Sequence, residues 1–126
     1  MIVDTSALVA ILRGEPEAEA FIDLLLGADA ARLSAGTLLE VHIVAAAYGC
    51  SAALDELLSL IDAEIVPFDA DQARLAALGF RKFGKGRHPA GLNFGDCFAY
   101  AAARATGEPL LFKGRDFART DVVAAA

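Results

Sequence analysis

Cysteine, basic side chains and long apolar runs are all sparse in this 126-residue chain, and each shortage excludes something. Two cysteines, Cys50 and Cys97, cannot build a disulfide framework and fit a reduced, cytoplasmic setting. No C-x-x-C pairs with a second ligand pair, which removes the usual structural zinc site. The longest uncharged stretch, Val41–Leu54, contains His42 and falls short of the ~20 apolar residues of a membrane span. Met1-Ile-Val-Asp4 has neither the basic segment nor the cleavage site of an export signal. No G-x-x-x-x-G-K-[ST] phosphate loop is present, since Gly84-Lys-Gly-Arg87 lacks its spacing. No Ser–His–Asp or Cys–His set has a positional pattern behind it. His42 reads as a surface or core residue, His88 as a solvated imidazole in a basic loop, and Cys97 as a small buried hydrophobe.

What remains is a globular composition. Hydrophobic residues make up 56% and charged ones 22%, too apolar for a disordered chain, and the length suits one domain over residues 1–126. With 17 acidic and 11 basic side chains the net charge is −6, which on its face counts against a polyanionic partner. The distribution reverses that impression. Residues 1–73 hold 13 acids and 2 bases, residues 74–119 hold 9 bases and 3 acids, and residues 120–126 add one acid. A basic stretch of this kind is either a solvated surface or a face for a polyanion.

Four short apolar runs read as strands: Ile2-Val3, Arg32–Ala35, Glu64–Phe68 and Pro109–Phe112. Helical periodicity separates them. Ala18, Phe21, Ile22 and Leu25 form one stripe, and Leu39, Ile43, Ala46 and Ala47 another. Leu54, Leu57, Leu58 and Ile61 form a third, followed by a helix over Asp69–Phe83. Phe94, Phe98, Ala101, Ala102 and Ala105 mark the last. Alternating strands and helices predict an α/β sandwich with a mostly parallel sheet of four to five strands between helices. Gly84–Leu92, rich in glycine and basic residues, reads as a loop.

Sites of parallel sheets collect at the carboxyl ends of the strands. Asp4 ends the first strand, Glu40 lies early in the helix after the second, Asp96 opens the Phe94–Thr106 helix, and Asp116 follows the last strand. Each has a local role open to it. Asp4 suits a helix cap, Thr37–Glu40 and Asn93–Asp96 have the shape of capping boxes, and Asp116 suits a turn. Jointly they suggest more. Ionised carboxylates ~5 Å apart repel by roughly 3 kcal/mol at an effective dielectric of ~20. Four on one edge therefore call for a cation or raised pKa values. Oxygen-only ligands select Mg²⁺ or Mn²⁺, and such ions let an acidic pocket act on a phosphodiester.

The sequence resembles PIN-domain ribonucleases, in particular VapC-type toxins of toxin–antitoxin pairs. The resemblance rests on Met1-Ile-Val-Asp4-Thr-Ser-Ala-Leu, Leu38-Leu-Glu40, Gly91-Leu-Asn-Phe-Gly-Asp96-Cys-Phe and Pro109-Leu-Leu-Phe-Lys-Gly114 followed by Asp116-Phe-Ala-Arg-Thr-Asp121. It implies a PIN-like three-layer sandwich and a Mg²⁺-dependent endoribonuclease. Asp4, Glu40 and Asp96 would form the acidic core, with Asp116 as the fourth acid. Arg115 stands where relatives often carry an acid or amide, which leaves Asp121 as the substitute for that fourth position. Thr5 and Ser6 would hydrogen-bond a carboxylate or a held water, and Asn93 would orient the Asp96 turn. Lys85, Arg87, Lys113 and Arg115 are the candidates for holding RNA phosphates. The resemblance further implies a homodimer and a small VapB-type antitoxin that blocks the site. Two rival readings remain: a PIN-like binding module without turnover, and a metal-dependent nuclease or phosphatase on another phosphate ester.

Overall fold

The computed structural model describes residues 1–126. Its strands are two or three residues long: β1 (Ile2–Val3), β2 (Arg32–Ser34), β3 (Glu64–Val66) and β4 (Leu110–Leu111). All four run parallel in the order β3-β2-β1-β4, with Ile2 opposite both Arg32 and Leu110. Parallel neighbours need crossover connections. Three helical pairs supply them: α1 (Thr5–Leu12) with α2 (Ala18–Gly27), α3 (Ala35–Ala47) with α4 (Ser51–Leu60), and α5 (Ala70–Phe83) with α6 (Phe94–Thr106). A 3₁₀ turn over Phe117–Arg119 follows β4.

Side-chain alternation along each strand divides the core into two layers. Val3, Leu33 and Leu111 enter one cluster with Leu8, Phe21, Leu25, Val41, Leu54, Leu57 and Ile61 from α1–α4 and the turn after α4. Ile2 and Leu110 point the other way, joining Ala99, Tyr100, Ala102 and Ala103 of α6 together with Leu92 and Phe117. The three-layer sandwich expected from the sequence is therefore present. A buried leucine contributes roughly 2 kcal/mol of transfer free energy. The alanines of α6 contribute less each but allow close packing. α5 comes so near α6 that a Cβ on Gly79 would lie 2.4 Å from the Tyr100 ring.

Two expectations need correction. The stripe of Leu39, Ile43, Ala46 and Ala47 does not face the core: Leu39 and Ile43 are exposed, while Thr37, Val41 and Ala45 form the buried face of α3. Nor does Thr37–Glu40 form a capping box. The helix starts three residues earlier, with Ser34 accepting from the Gly36 N–H as its cap. The Asn93–Asp96 box does form, with Asp96 N–H donating to the Asn93 side chain at 2.9 Å and Asn93 N–H to Asp96 at 3.0 Å. The Gly84–Leu92 loop is closed by a bridge between its end residues.

The chain builds outward from β1 to β2 and β3, then returns to add β4 on the other side of β1. The order of strands thus reverses at β1, and crevices of parallel sheets open beyond the carboxyl ends at such a point. Asp4 and the Lys113–Asp116 turn are the segments that leave the sheet there.

Candidate functional site

Asp4 follows β1 directly and is almost wholly buried, at 3% exposure. Its Oδ2 accepts from the Ser6 N–H at 3.0 Å and the Ser6 hydroxyl at 2.7 Å, so the carboxylate caps α1 and is fixed in orientation. Its Oδ1 is buried without any partner. Glu40, brought in by α3, accepts from the Thr5 hydroxyl at 2.6 Å. That carboxylate lies over Gly95: a Cβ there would fall 1.8 Å from Glu40 Oε2. Asp96 stands next along α6, within hydrogen-bonding reach of Asp116 from the turn after β4. Asp4, Glu40, Asp96 and Asp116 thus come together from four separate parts of the chain.

Burial, with a smaller contribution from neighbouring negative charge, raises two of these acids. Burial pushes Asp4 up from 3.8 to about 6; the Ser6 hydroxyl and N–H oppose the rise, and the nearby Glu40 charge adds to it. Burial pushes Asp96 up to about 7 against the Asn93 backbone hydrogen bond, with the Asp4 and Asp116 charges and a hydrogen bond to Asp116 raising it further. A positive charge among these groups would oppose both shifts.

The residues fit a hard divalent cation. Asp4 Oδ1 is an orphaned buried acceptor, and the charged side chains that bear on Asp4 and Asp96 are those of Glu40 and Asp116, both carboxylates. No three acidic, histidine or cysteine side chains converge enough to enclose an ion by themselves. Mg²⁺ does not require that, because it is commonly held by one or two carboxylates and completes its shell with water.

The remaining expected residues divide. Asp121 is engaged elsewhere, accepting from the Tyr100 hydroxyl at 2.9 Å and pairing with Arg104 at 3.7 Å. Asn93 caps α6 and so sets the turn that presents Asp96. Lys85, Arg87 and Arg115 are exposed. Lys113 is turned away from solvent anions by ion pairs with Glu15 and Glu17, the latter at 3.0 Å. His42 is exposed, Cys97 is buried, and His88 accepts the Ala90 N–H at Nδ1. Sequence reasoning missed Gly95; its one signal was a glycine in a helical first turn, where it costs about 1 kcal/mol relative to alanine. The largest cleft, about 970 Å³, lies at the opposite edge of the sheet, beside Met1, Arg32, Glu64 and Glu108, and includes none of the four acids.

The PIN domain family model matches residues 1–123. The chain is 51% identical over 126 residues to VapC ribonuclease Mb0625 of Mycobacterium bovis, covering 97% of this chain and 95% of that protein. It is 47% identical over 127 residues to a ribonuclease VapC of Mycolicibacterium smegmatis, covering 98% of each. Among solved structures, a toxin–antitoxin complex from Klebsiella pneumoniae superposes with a TM-score of 0.75 at 21% identity, covering 99% of this chain and 97% of that one. VapBC2 from Rickettsia felis, bound to a promoter DNA fragment, gives 0.71 at 16% identity, with 98% and 94% covered. These two likenesses speak to the fold, whereas the family match and the close relatives speak to descent: the chain belongs to the PIN-domain family, in the branch of the VapC ribonucleases.

Proposed function

We propose that this chain is the toxin of a toxin–antitoxin pair, an endoribonuclease that needs a divalent cation, Mg²⁺ or in its place Mn²⁺. The observation that carries the reading is the buried, unpartnered Asp4 Oδ1 in a group of carboxylates where burial, with neighbouring negative charge, raises Asp4 and Asp96. Membership of the VapC branch supports RNA as the polymer.

Asp4 and Asp96 are the residues to hold the ion, with Glu40 and Asp116 completing its surroundings. A bound divalent cation supplies Lewis-acid polarisation of a phosphate oxygen and a lowered pKa for water. The protein supplies the rest. Ser6 fixes Asp4, Thr5 fixes Glu40, and the Asn93 cap fixes Asp96. Asp116, exposed beside Asp96, accepts the proton as water adds to phosphorus and the ribose oxygen departs. Exposed Lys85, Arg87 and Arg115 are the residues to hold flanking phosphates.

Two partners belong to the same reading. A small antitoxin, VapB-like, would cover the acidic site, and exposed Leu39, Ile43 and Phe94 offer apolar surface for it or for a second copy in a homodimer. No helix is long and apolar enough to cross a membrane. The proposed site of action is the cytoplasm, a reducing compartment that suits two free cysteines.

Incubation of antitoxin-free protein with structured RNAs tests the reading. Cleavage is expected with Mg²⁺, and its loss with EDTA or in Asp4→Asn and Asp96→Asn. Undiminished cleavage by those variants would remove the carboxylates from the mechanism. No cleavage of any RNA by the metal-loaded parent would favour a binding module.

A further inference from the structure

Lys113 follows β4 at the switch point, where a basic residue would be expected to meet phosphate. Its surroundings assign it otherwise. The ammonium lies between Glu15 and Glu17 of the α1–α2 connection, paired with both. Two carboxylates already neutralise it, and a phosphate would have to displace them. Its main-chain N–H donates to the Ser6 hydroxyl at 2.9 Å, and that same hydroxyl donates to Asp4 Oδ2 at 2.7 Å. A continuous path of polar interactions therefore runs from Glu15 and Glu17 through Lys113 and Ser6 to Asp4.

The same residue begins the turn that carries Asp116. Gly114 follows with φ +108°, a conformation that side-chain-bearing residues rarely adopt, so the chain reverses there without a side chain to pack. The turn is anchored again only at Phe117, which is buried at 3% exposure against Phe112. Gly114, Arg115 and Asp116 between the two anchors are exposed. With Lys113 released, the start of the turn would keep only its main-chain bond to Ser6 and the packing of Phe112 on Phe117, and would lose its one tie to the α1–α2 connection.

We propose that Lys113 is a positioning residue: clamped by Glu15 and Glu17 and bonded to Ser6, it fixes the Lys113–Asp116 turn against Asp4 so that Asp116 stands beside Asp96. It acts through Asp4 and Asp116 and touches no reacting atom. This inference rests on the metal-centre reading above.

For Lys113→Met, charge alone and positioning predict opposite outcomes. Removing a cation close to an acidic site should tighten binding of another cation. Loss of an outer support for the ligands instead weakens metal binding, commonly by ~10-fold or more. The experiment is a Mn²⁺ titration of the full chain, followed by the electron paramagnetic resonance signal of free Mn²⁺, on the parent, Lys113→Met, Lys113→Arg and the double variant Glu15→Gln/Glu17→Gln. Circular dichroism confirms folding. Binding of a fluorescent single-stranded RNA in EDTA is measured alongside. Lys113→Met and the double variant are each expected to weaken Mn²⁺ binding by roughly fivefold to tenfold. Lys113→Arg should restore most of the loss, and RNA affinity should stay within about twofold of the parent. Equal or tighter Mn²⁺ binding by Lys113→Met, with a parent that does bind, would overturn the positioning role alone. Weaker RNA binding with unchanged Mn²⁺ binding would return Lys113 to the phosphate-binding set. A parent that binds no Mn²⁺ would instead overturn the metal centre, and this inference with it.

Discussion

The Thr5 hydroxyl donates to Glu40 Oε1 at 2.6 Å, joining the start of α1 to the first turns of α3 across 35 residues. Thr5 is 8% exposed, so its methyl group packs while its oxygen orients the carboxylate. Thr5→Val keeps the shape and removes the donor. Supports of this kind are commonly worth ~10- to 100-fold in activity. A fall in kcat near ten-fold with little change in melting temperature is expected, read from RNA cleavage and thermal unfolding. An unchanged kcat would make the hydrogen bond incidental.

Gly95 separates a stability effect from a functional one. The three atoms nearest a Cβ at this position all belong to the carboxylate of Glu40, the far end of a flexible side chain that can swing aside. Gly95→Ala should therefore leave stability equal or higher, helped by up to ~1 kcal/mol of helix propensity. Cleavage should drop at least about tenfold as Glu40 leaves Thr5. Loss of stability together with activity would show that the backbone, not Glu40, gives way.

Titration of Asp4 makes stability depend on pH with a definite sign. Its pKa is raised from 3.8 to about 6 in the fold, so the neutral form is favoured. Its contribution is intact below about pH 4 and is lost as pH rises through about 6, and the raised Asp96 adds in the same direction up to about 7. In EDTA, Asp4→Asn should gain on the parent by up to about 3 kcal/mol between pH 4 and pH 8, measured by urea unfolding. Saturating Mg²⁺ should shrink that gain at pH 8, because the cation stabilises only the ionised parent. A gain that shrinks with pH in EDTA would contradict the burial of an unpaired carboxylate.

Lys85, Arg87 and Arg115 are exposed and take no part in the chain's ion pairs. Replacing each by alanine should raise KM for RNA and leave kcat within about twofold. The dependence of binding on salt should flatten by about 0.7 in log–log slope for each phosphate no longer neutralised on a single strand. An unaltered salt slope would place the RNA elsewhere.

Much of this was legible in the chain, for local reasons. The helix over Phe94–Thr106 was readable to its ends because Asn93 caps it and Gly107, at φ +72°, stops it. The strand positions were readable as apolar runs; β1 matches its run, while the other three paired segments are shorter than theirs. What failed was non-local. Periodicity shows that α3 has an apolar stripe, but only packing shows that Val41 faces the core and Ile43 the solvent. Thr37 and Glu40 have the spacing of a capping box, yet Ser34 caps the helix and Glu40 binds Thr5. Lys113 reads in sequence as a phosphate-contact candidate, and nothing near it along the chain foretells its pairing with Glu15, 98 residues away.

The most direct measurement is the position of a bound ion. Crystals soaked in Mn²⁺ and measured at a wavelength where manganese scatters anomalously should show a peak about 2.2 Å from Asp4 Oδ1 or an Asp96 oxygen. That peak should vanish in Asp4→Asn. A peak confined to the opposite edge of the sheet, by Glu64 and Glu108, or one that persists unchanged without the Asp4 carboxylate, would contradict a metal centre at these acids.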